Sequence, residues 1–432
     1  MDLHQVRRLE PTCKRVSKVK EPSLGILEEI LSRLPTKSVL RLSRVSKLWH
    51  SIVSDPHFCN LHATRALVRD IHRSMLLIED PVIDSISSGA RVKTLLTGRD
   101  ANLHGSTICH VANSKAYMYK GTCNGLLIFQ CHAAQEPIVL CNPVTREYLY
   151  LPAEAPPFHD LDIYCFGLGF DPLRKVYKVF RFSISLHSSE KSICEVCTLG
   201  SHGSWRRVCS DVELLTFGTG LYIGGKIFWT TIAFCDLCNM KIMSADAVSE
   251  EIRSLEPPVC ASLMRIDAFN QICTFDFKGQ LAMMAAKFSS ELAELWVLKD
   301  YEHNQWEHLC TYKLPFRANF DETSVCVGNK FLFVLQYGYK LAIYDTRKSS
   351  LGNNSSPQSW DCVLSGVPKN WQIFGDYKPS LVSLKSFCGT GGILAAATPP
   401  TLQGEHGEEE KSRTAFLREL HNFLREAMSR DD

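Results

Sequence analysis

The residues best spaced for chemistry are two Cys-x-x-Cys pairs, Cys194/Cys197 and Cys235/Cys238. Thiolates at that spacing can hold zinc, but a zinc ribbon sets its two pairs roughly 15–20 residues apart, and these lie about twice as far apart. By pattern Cys194 and Cys197 share a strand, where residues three apart point to opposite faces. Packing is the better reading, and no metal site is expected. The histidines and carboxylates show neither His-Glu-x-x-His nor EF-hand spacing. No Gly-x-Ser-x-Gly elbow is present, and Gly121-Thr122-Cys123-Asn124-Gly125 lacks the Lys-Ser/Thr that would make it a phosphate loop. The aromatics sit in strand patterns, as core residues rather than a base-stacking platform. The expectation is no catalytic residue and no cofactor.

Composition narrows the classes further. The chain has 432 residues, 45% hydrophobic and 22% charged, with a net charge of +2. That is a globular composition with room for a small module and a large one. A near-zero charge supplies no field toward nucleic acid or membrane. No apolar run approaches the roughly 20 residues that span a bilayer. The first residues, with Arg7, Arg8, Lys14, Arg15 and Lys18, lack the apolar stretch of a secretory signal. Cytoplasm, nucleus or both is therefore the expected location. Most of the 18 cysteines have apolar neighbours, as in Leu140-Cys141, and read as reduced, buried thiols.

Residues 1–21 read as a mobile basic tail. From Leu24 the period becomes helical, with Ile26, Leu27, Ile30, Leu31 and Leu34 recurring every three or four residues. Pro35 stops this helix. Thr36 is a candidate N-cap for a second helix carrying Val39, Leu40, Leu42 and Val45, and Ser46 for a third carrying Leu48, Trp49, Ile52 and Val53. Asp55-Pro56 ends the third, with Phe58 and Leu61 on a last short turn. Three short helices cannot bury this much apolar surface among themselves, so part of it should face a partner.

The run Leu31-Ser32-Arg33-Leu34-Pro35-Thr36-Lys37-Ser38-Val39-Leu40-Arg41, followed by Val45-Ser46-Lys47-Leu48-Trp49 and Ser54-Asp55-Pro56-His57-Phe58, resembles the plant form of the F-box. The resemblance covers residues 22–65. It implies docking on a Skp-type adaptor and, through it, on a cullin-RING ubiquitin ligase. The residues expected to face that adaptor are Ile26, Leu27, Ile30, Leu31, Leu34, Pro35, Val39, Leu40 and Trp49, part of which must also hold the helices together. A helix-turn-helix DNA reader, suggested by Arg33, Lys37, Arg41, Arg44 and Lys47, is disfavoured by the wide apolar surface and the neutral net charge. One departure stands out. The family opens its first helix with Leu-Pro-acid, whereas this chain has Pro22-Ser23-Leu24-Gly25, and the glycine costs on the order of 1 kcal/mol against alanine.

Residues 66–116 read as a linker with one strand at Met75–Glu79 and loops near 85–90 and 98–106. From Tyr117 short strands alternate with turns: Gly125–Phe129, Pro137–Cys141, a turn at Asn142-Pro143, then Glu147–Leu151. Variants follow at Gly167–Phe182, Ile193–Val208, Leu221–Trp229 around Gly224-Gly225, Ile242–Leu255, Phe275–Met283, Leu295–Leu309 and Val325–Asp345. The unit recurs about every 40–60 residues, the length of a four-stranded blade, which predicts an all-β propeller-like domain of about five to six blades. A β-sandwich is the alternative. Gly121–Leu127, Asn142–Thr145, Gly167–Pro172, Gly225–Trp229, Leu295–Leu298 and Tyr377–Leu384, in this order, resemble the F-box-associated domain, which is kelch-like and serves as the target-binding half. That domain is set at 117–385. Residues 386–410 read as a linker, and 411–432 as a C-terminal amphipathic helix with Phe416, Leu417, Leu420, Phe423, Leu424 and Met428 on one side.

The reading that results is a non-catalytic substrate adaptor of a Skp-cullin-F-box ligase, with an unknown protein target on the propeller-like domain. The alternatives are a binding protein whose divergent F-box no longer engages the ligase and, further off, a propeller enzyme.

Overall fold

The computed structural model describes residues 23–396, except for 69–73, 80–90, 97–107, 111–116, 132–136, 152–162, 185–191, 201–203, 213, 217–218, 234–239, 259–270, 287–291, 314–323, 328–329, 336–339, 346–361, 366–370 and 388–392. The basic tail over 1–21, the loops near 85–90 and 98–106, Cys235, Cys238 and the helix read over 411–432 lie outside the described residues.

Four helices open the chain: α1 (Leu24–Leu31), α2 (Thr36–Leu42), α3 (Lys47–Ser54) and α4 (Pro56–Val68). The expectation of three is corrected by α4. Asp55-Pro56 is a start as well as a stop, because proline fits the first turn of a helix, where its missing N–H is not needed. The Asp55 carboxylate also accepts the His57 N–H at 2.7 Å. Ser46 caps α3 as expected, accepting the Trp49 N–H at 3.2 Å. Thr36 does not cap α2. The N-cap is Pro35, and the Thr36 hydroxyl donates instead to the Pro379 carbonyl at 3.0 Å. Leu27, Leu31, Val39, Ile52, Val53, Phe58 and Cys59 form the helical core, and Leu381 from the far end of the chain completes it.

The rest is strand. In chain order the strands are β1 (Ser74–Glu79), β2 (Arg91–Leu96), β3 (Ile108–His110), β4 (Tyr117–Cys123), β5 (Leu126–Cys131), β6 (Val139–Asn142), β7 (Glu147–Tyr150), β8 (Ile163–Asp171), β9 (Val176–Ile184), β10 (Ser192–Thr198), β11 (Trp205–Val212), β12 (Leu214–Thr216) and β13 (Gly220–Ile223). There follow β14 (Lys226–Ala233), β15 (Met240–Asp246), β16 (Ile252–Leu255), β17 (Gln271–Phe277), β18 (Gln280–Ala286), β19 (Leu292–Asp300), β20 (Gln305–Lys313), β21 (Ser324–Val327), β22 (Lys330–Leu335), β23 (Lys340–Asp345), β24 (Cys362–Ser365), β25 (Trp371–Tyr377) and β26 (Ile393–Ala396). Two readings change here. The segment 66–116 holds three strands rather than one, and the linker read over 386–410 contains β26, which pairs antiparallel with β7. Its Ile393-Leu394-Ala395-Ala396 is a short apolar run whose partner among the described residues is the distant β7, so the tertiary pairing reveals it.

Strands β8–β11, β17–β20 and β21–β24 each form a four-stranded antiparallel meander. The ten-stranded sheet is two more meanders, β4–β7 and β13–β16, joined by a short parallel pair at Gly220/Gly121 and Leu221/Thr122 and extended by β12 and β26. The remaining sheet has the order β25-β1-β2-β3, so a strand from late in the chain, β25, pairs with the first, Ile373 opposite Leu77. The leading strands β4, β8, β13, β17, β21 and β25 adjoin in succession. The Tyr377 hydroxyl, at the end of β25, donates to the Gly125 carbonyl at 3.2 Å and returns the succession to β4–β5.

The hairpins explain the repeat. Asn142, Asp171 and Asp246 each accept a backbone N–H two residues on (Val144, Leu173 and Val248, at 2.8–2.9 Å), and Asp300 accepts the His303 N–H at 3.1 Å. Four residues beyond each acceptor, Arg146, Lys175, Glu250 and Asn304 take positive φ. The short side chain thus substitutes for a backbone acceptor and sets the turn. At the junction of β4, β8 and β13 the need is for lack of bulk. A Cβ on Gly220 would lie 2.6 Å from Gly167 Cα, and one on Gly167 would lie 2.2 Å from the Trp229 ring.

One buried ion cluster pins the β8–β9 turn to the β15–β16 turn. Lys178, 1% exposed, reaches Glu250 at 2.9 Å, Asp171 at 3.4 Å and the Val248 carbonyl at 3.2 Å, and Arg206 also pairs with Glu250. Burial opposes the charge on Asp171, but the Arg174 and Leu173 N–H groups and Lys178 outweigh it and hold its carboxyl below the ordinary range. Breaking such a cluster leaves buried charge unpaired. Lys178→Met is expected to cost about 3–5 kcal/mol, read as a fall in the thermal midpoint; an unchanged midpoint would show that the cluster is not structural.

Candidate docking surface on the helical module

Helix α1 carries two apolar stripes. Leu27 and Leu31, four residues apart, turn inward and are 6% and 0% exposed. Ile26 and Ile30, also four apart, turn outward and are 54% and 50% exposed. At four-residue spacing each pair stays on one face, and the two faces are about 100° apart. Leu24, Val45 and Leu48 are exposed as well, so five of the seven large exposed apolar side chains among the described residues belong to this module. Exposed apolar side chains concentrated on so small a module make it the candidate docking surface.

The nine residues expected to face an adaptor therefore divide. Ile26, Ile30 and Pro35 are exposed. Leu27, Leu31 and Val39 are buried in the helical core, while Leu34, Leu40 and Trp49 pack partly buried against it. Leu24, Val45 and Leu48 were missed as surface residues. For Leu24 and Leu48 the available signal was that α1 and α3 hold more apolar positions than one face can bury; Val45 lies in the turn before α3.

Ion pairs hold the outward stripe in place. Glu29, between the two isoleucines, pairs with Arg65 of α4 at 2.6 Å and with Arg33 one turn on. Arg65 also donates to Ser32, whose hydroxyl donates to the Glu29 carbonyl at 2.9 Å. His62 meets the Leu34 carbonyl at 2.9 Å, tying α4 to the end of α1. The Arg65 and Arg33 hydrogen bonds hold the Glu29 carboxyl below its ordinary value. The exposed Arg41, Arg44 and Lys47 add positive charge beside Val45 and Leu48.

Behind the module, the chain after β25 runs between helices and sheets as a strap. Leu381 enters the helical core, and Leu384, in a 3₁₀ turn Leu384–Phe387, enters the sheet core with Phe166, Leu168 and Tyr177. Asn142 Nδ2 donates to the Ser380 and Val382 carbonyls at 3.1 and 2.6 Å. Glu147 accepts from the Ser383 hydroxyl at 2.9 Å and the Leu384 N–H at 2.8 Å. A cavity of 360 Å³ lies beside the strap, lined by Ala63 of α4 and by Asn124, Phe170, Tyr177, Tyr222 and Lys378. The Tyr222 hydroxyl is already committed to the Phe170 carbonyl at 3.1 Å.

No group of three or more His, Cys, Asp or Glu positioned for a metal occurs among the described residues. Cys194 and Cys197 enter different core clusters, as residues on opposite faces of a strand do.

Comparison with known proteins places both modules. The family described as F-box domain matches residues 23–61, and that described as F-box associated beta propeller domain matches residues 94–330. Two Arabidopsis thaliana chains named as F-box proteins are similar over most of their length. At3g10240 is 31% identical over 66% of this chain and 69% of its own. At5g52610 is 29% identical over 84% of this chain and 99% of its own. The chain belongs to the plant F-box proteins that carry an F-box-associated β-propeller domain.

Two outcomes check this surface. Gly25 is exposed, and a Cβ there would meet nothing within 4 Å. Gly25→Ala should therefore stabilise α1 by about 1 kcal/mol, seen as slower amide exchange in α1; faster exchange would show that the glycine has a role of its own. The Glu29 carboxyl is depressed, so its contribution is full above its ordinary value and fades as pH falls through the depressed one. The gap in denaturation midpoint between wild type and Glu29→Gln should hold from pH 7 down to the ordinary carboxylate range and then close. A pH-independent gap would rule out the ion pairs as its source.

Proposed function

We propose that this protein is the target-recognition subunit of a Skp-cullin-F-box ubiquitin ligase. The observation that carries the reading is the outward stripe Ile26/Ile30 with Leu24, Val45 and Leu48, left uncovered on a module whose inward stripe is already satisfied. Ile26, Ile30 and Pro35 meet the Skp-type adaptor directly. Leu27, Leu31 and Val39 shape the surface from beneath. The surrounding Arg41, Arg44 and Lys47 favour a partner carrying acidic groups near its apolar contact.

The meanders are read as six blades, which present a protein target to the ligase. The protein contributes no chemical step of its own. It works by proximity, because tethering raises the local concentration of target lysines near the charged conjugating enzyme into the millimolar range typical of short linkages. The compartment would be cytoplasm, nucleus or both. A second reading, a binding protein whose F-box has lost the ligase, is motivated by the start of α1, where Ser23 makes no side-chain cap and Gly25 occupies the first turn.

The test separates docking from folding. Leu31→Asp would place a charge at a fully buried position and unfold the module, so it cannot report on docking. Ile26→Asp with Ile30→Asp alters exposed positions and should leave the thermal midpoint unchanged. Each lost apolar anchor is expected to cost about 2 kcal/mol of adaptor affinity, roughly thirtyfold. Wild-type co-purification of the double variant with a Skp-type adaptor would overturn the assignment, and no binding by the unaltered protein would favour the second reading.

A further inference from the structure

We infer that Cys194 and Cys209 form a dithiol that closes reversibly to an intramolecular disulfide, an oxidative modification site at the outer edge of the β8–β11 sheet. The two are register partners across the antiparallel ladder of β10 and β11, with a register shift on each side, at Ser192/Cys194 and at Cys194/Glu195. Both belong to one side of the sheet: Cys194 is buried in the core cluster with Phe180, Phe182 and Trp229, and Cys209 packs partly buried against that cluster. Both are free thiols. Residues directly opposite in an antiparallel pair have Cα atoms about 4.5–5.5 Å apart, inside the window of about 4.4–6.8 Å that a disulfide requires. Other cysteines in the described ladders face different residues. Cys197 faces Trp205 and Val179, Cys165 faces Phe182, Cys273 faces Met284 and Cys310 faces Leu295.

Exposure sets the order of events. Cys209 is the more accessible thiol, and burial pushes the Cys194 thiol up. The Cys209 thiolate attacks one sulfur of a low-molecular-weight disulfide and expels one small thiol, leaving a mixed disulfide. Cys194 attacks the Cys209 sulfur and its proton passes to the departing small thiolate, which leaves as the second small thiol. Two protein thiols are oxidised, and one small disulfide is reduced to two thiols. The elevated Cys194 thiol makes the second step the slow one. Strand β11 is the outermost of its sheet, so closure ties the edge down.

The experiment treats the full-length protein with excess oxidised glutathione, then digests it without reductant for mass spectrometry. The expected result is a Cys194–Cys209 linked peptide that dithiothreitol abolishes. In Cys194→Ser the first step should survive and the second fail, leaving Cys209 as a glutathione adduct. In Cys209→Ser, Cys194 should stay unmodified. The inference is overturned if wild-type Cys209 carries glutathione with Cys194 still free, if Cys209 links to another cysteine, or if neither thiol reacts in the folded protein.

Discussion

The structure depends on the strap Tyr377–Phe387. It is the stretch that links the two cores, with Leu381 in the helical cluster and Leu384 in the sheet cluster three residues on. Burying a leucine contributes about 1.5–3 kcal/mol, and here the two contributions fall on opposite sides of a module boundary. The polar backbone between them is satisfied by side chains that had to be in place already: Asn142 accepts the Val144 N–H to set its own turn and donates to Ser380 and Val382. Glu147, on the next strand, accepts the Ser383 hydroxyl and the Leu384 N–H. Anchors on both sides hold the helical module at one orientation against the sheets. A fixed link of this kind would suit the proposed target-recognition role, because a loose tether spreads a bound target over a larger volume.

With the module held from behind, its front is free for a partner. Two stripes on α1 divide the work: one supplies core, the other surface. The ion pair of Glu29 with Arg65 fixes α1 against α4, and that with Arg33 lies one turn along the same segment. The unusual start of α1 leaves these contacts intact. Gly25 sits in the first turn, exposed and unopposed, and its cost is one of helix propensity rather than of a missing contact.

Much of this was legible in the sequence, and most of what was not depends on residues far along the chain. The three- and four-residue spacing from Ile26 to Leu34 located the helix and its apolar positions. Periodicity could not tell core stripe from surface stripe, because Ile26/Ile30 and Leu27/Leu31 are equally apolar and equally spaced. Exposure is decided by what packs behind, and part of that is Leu381, far along the chain. The hairpins were readable because Asx side chains and Gly-Gly pairs fix turns locally. The pairing of β25 with β1 and of β26 with β7 was not, since strands so distant leave no local signature of their register. Pro56 was misread for a subtler reason: one residue type both ends one helix and begins the next. Thr36 looked like a cap and instead bonds Pro379.

The central claim, that the outward face of the helical module is the docking surface while the strap holds the module from behind, is tested most directly by hydrogen exchange of the full-length protein alone and with a Skp-type adaptor. Adaptor binding should slow amide exchange in α1 and across α2–α3 and leave the strap and the β4–β9 strands unchanged. Unchanged exchange throughout the helices at saturating adaptor, or protection confined to the sheets, would contradict it.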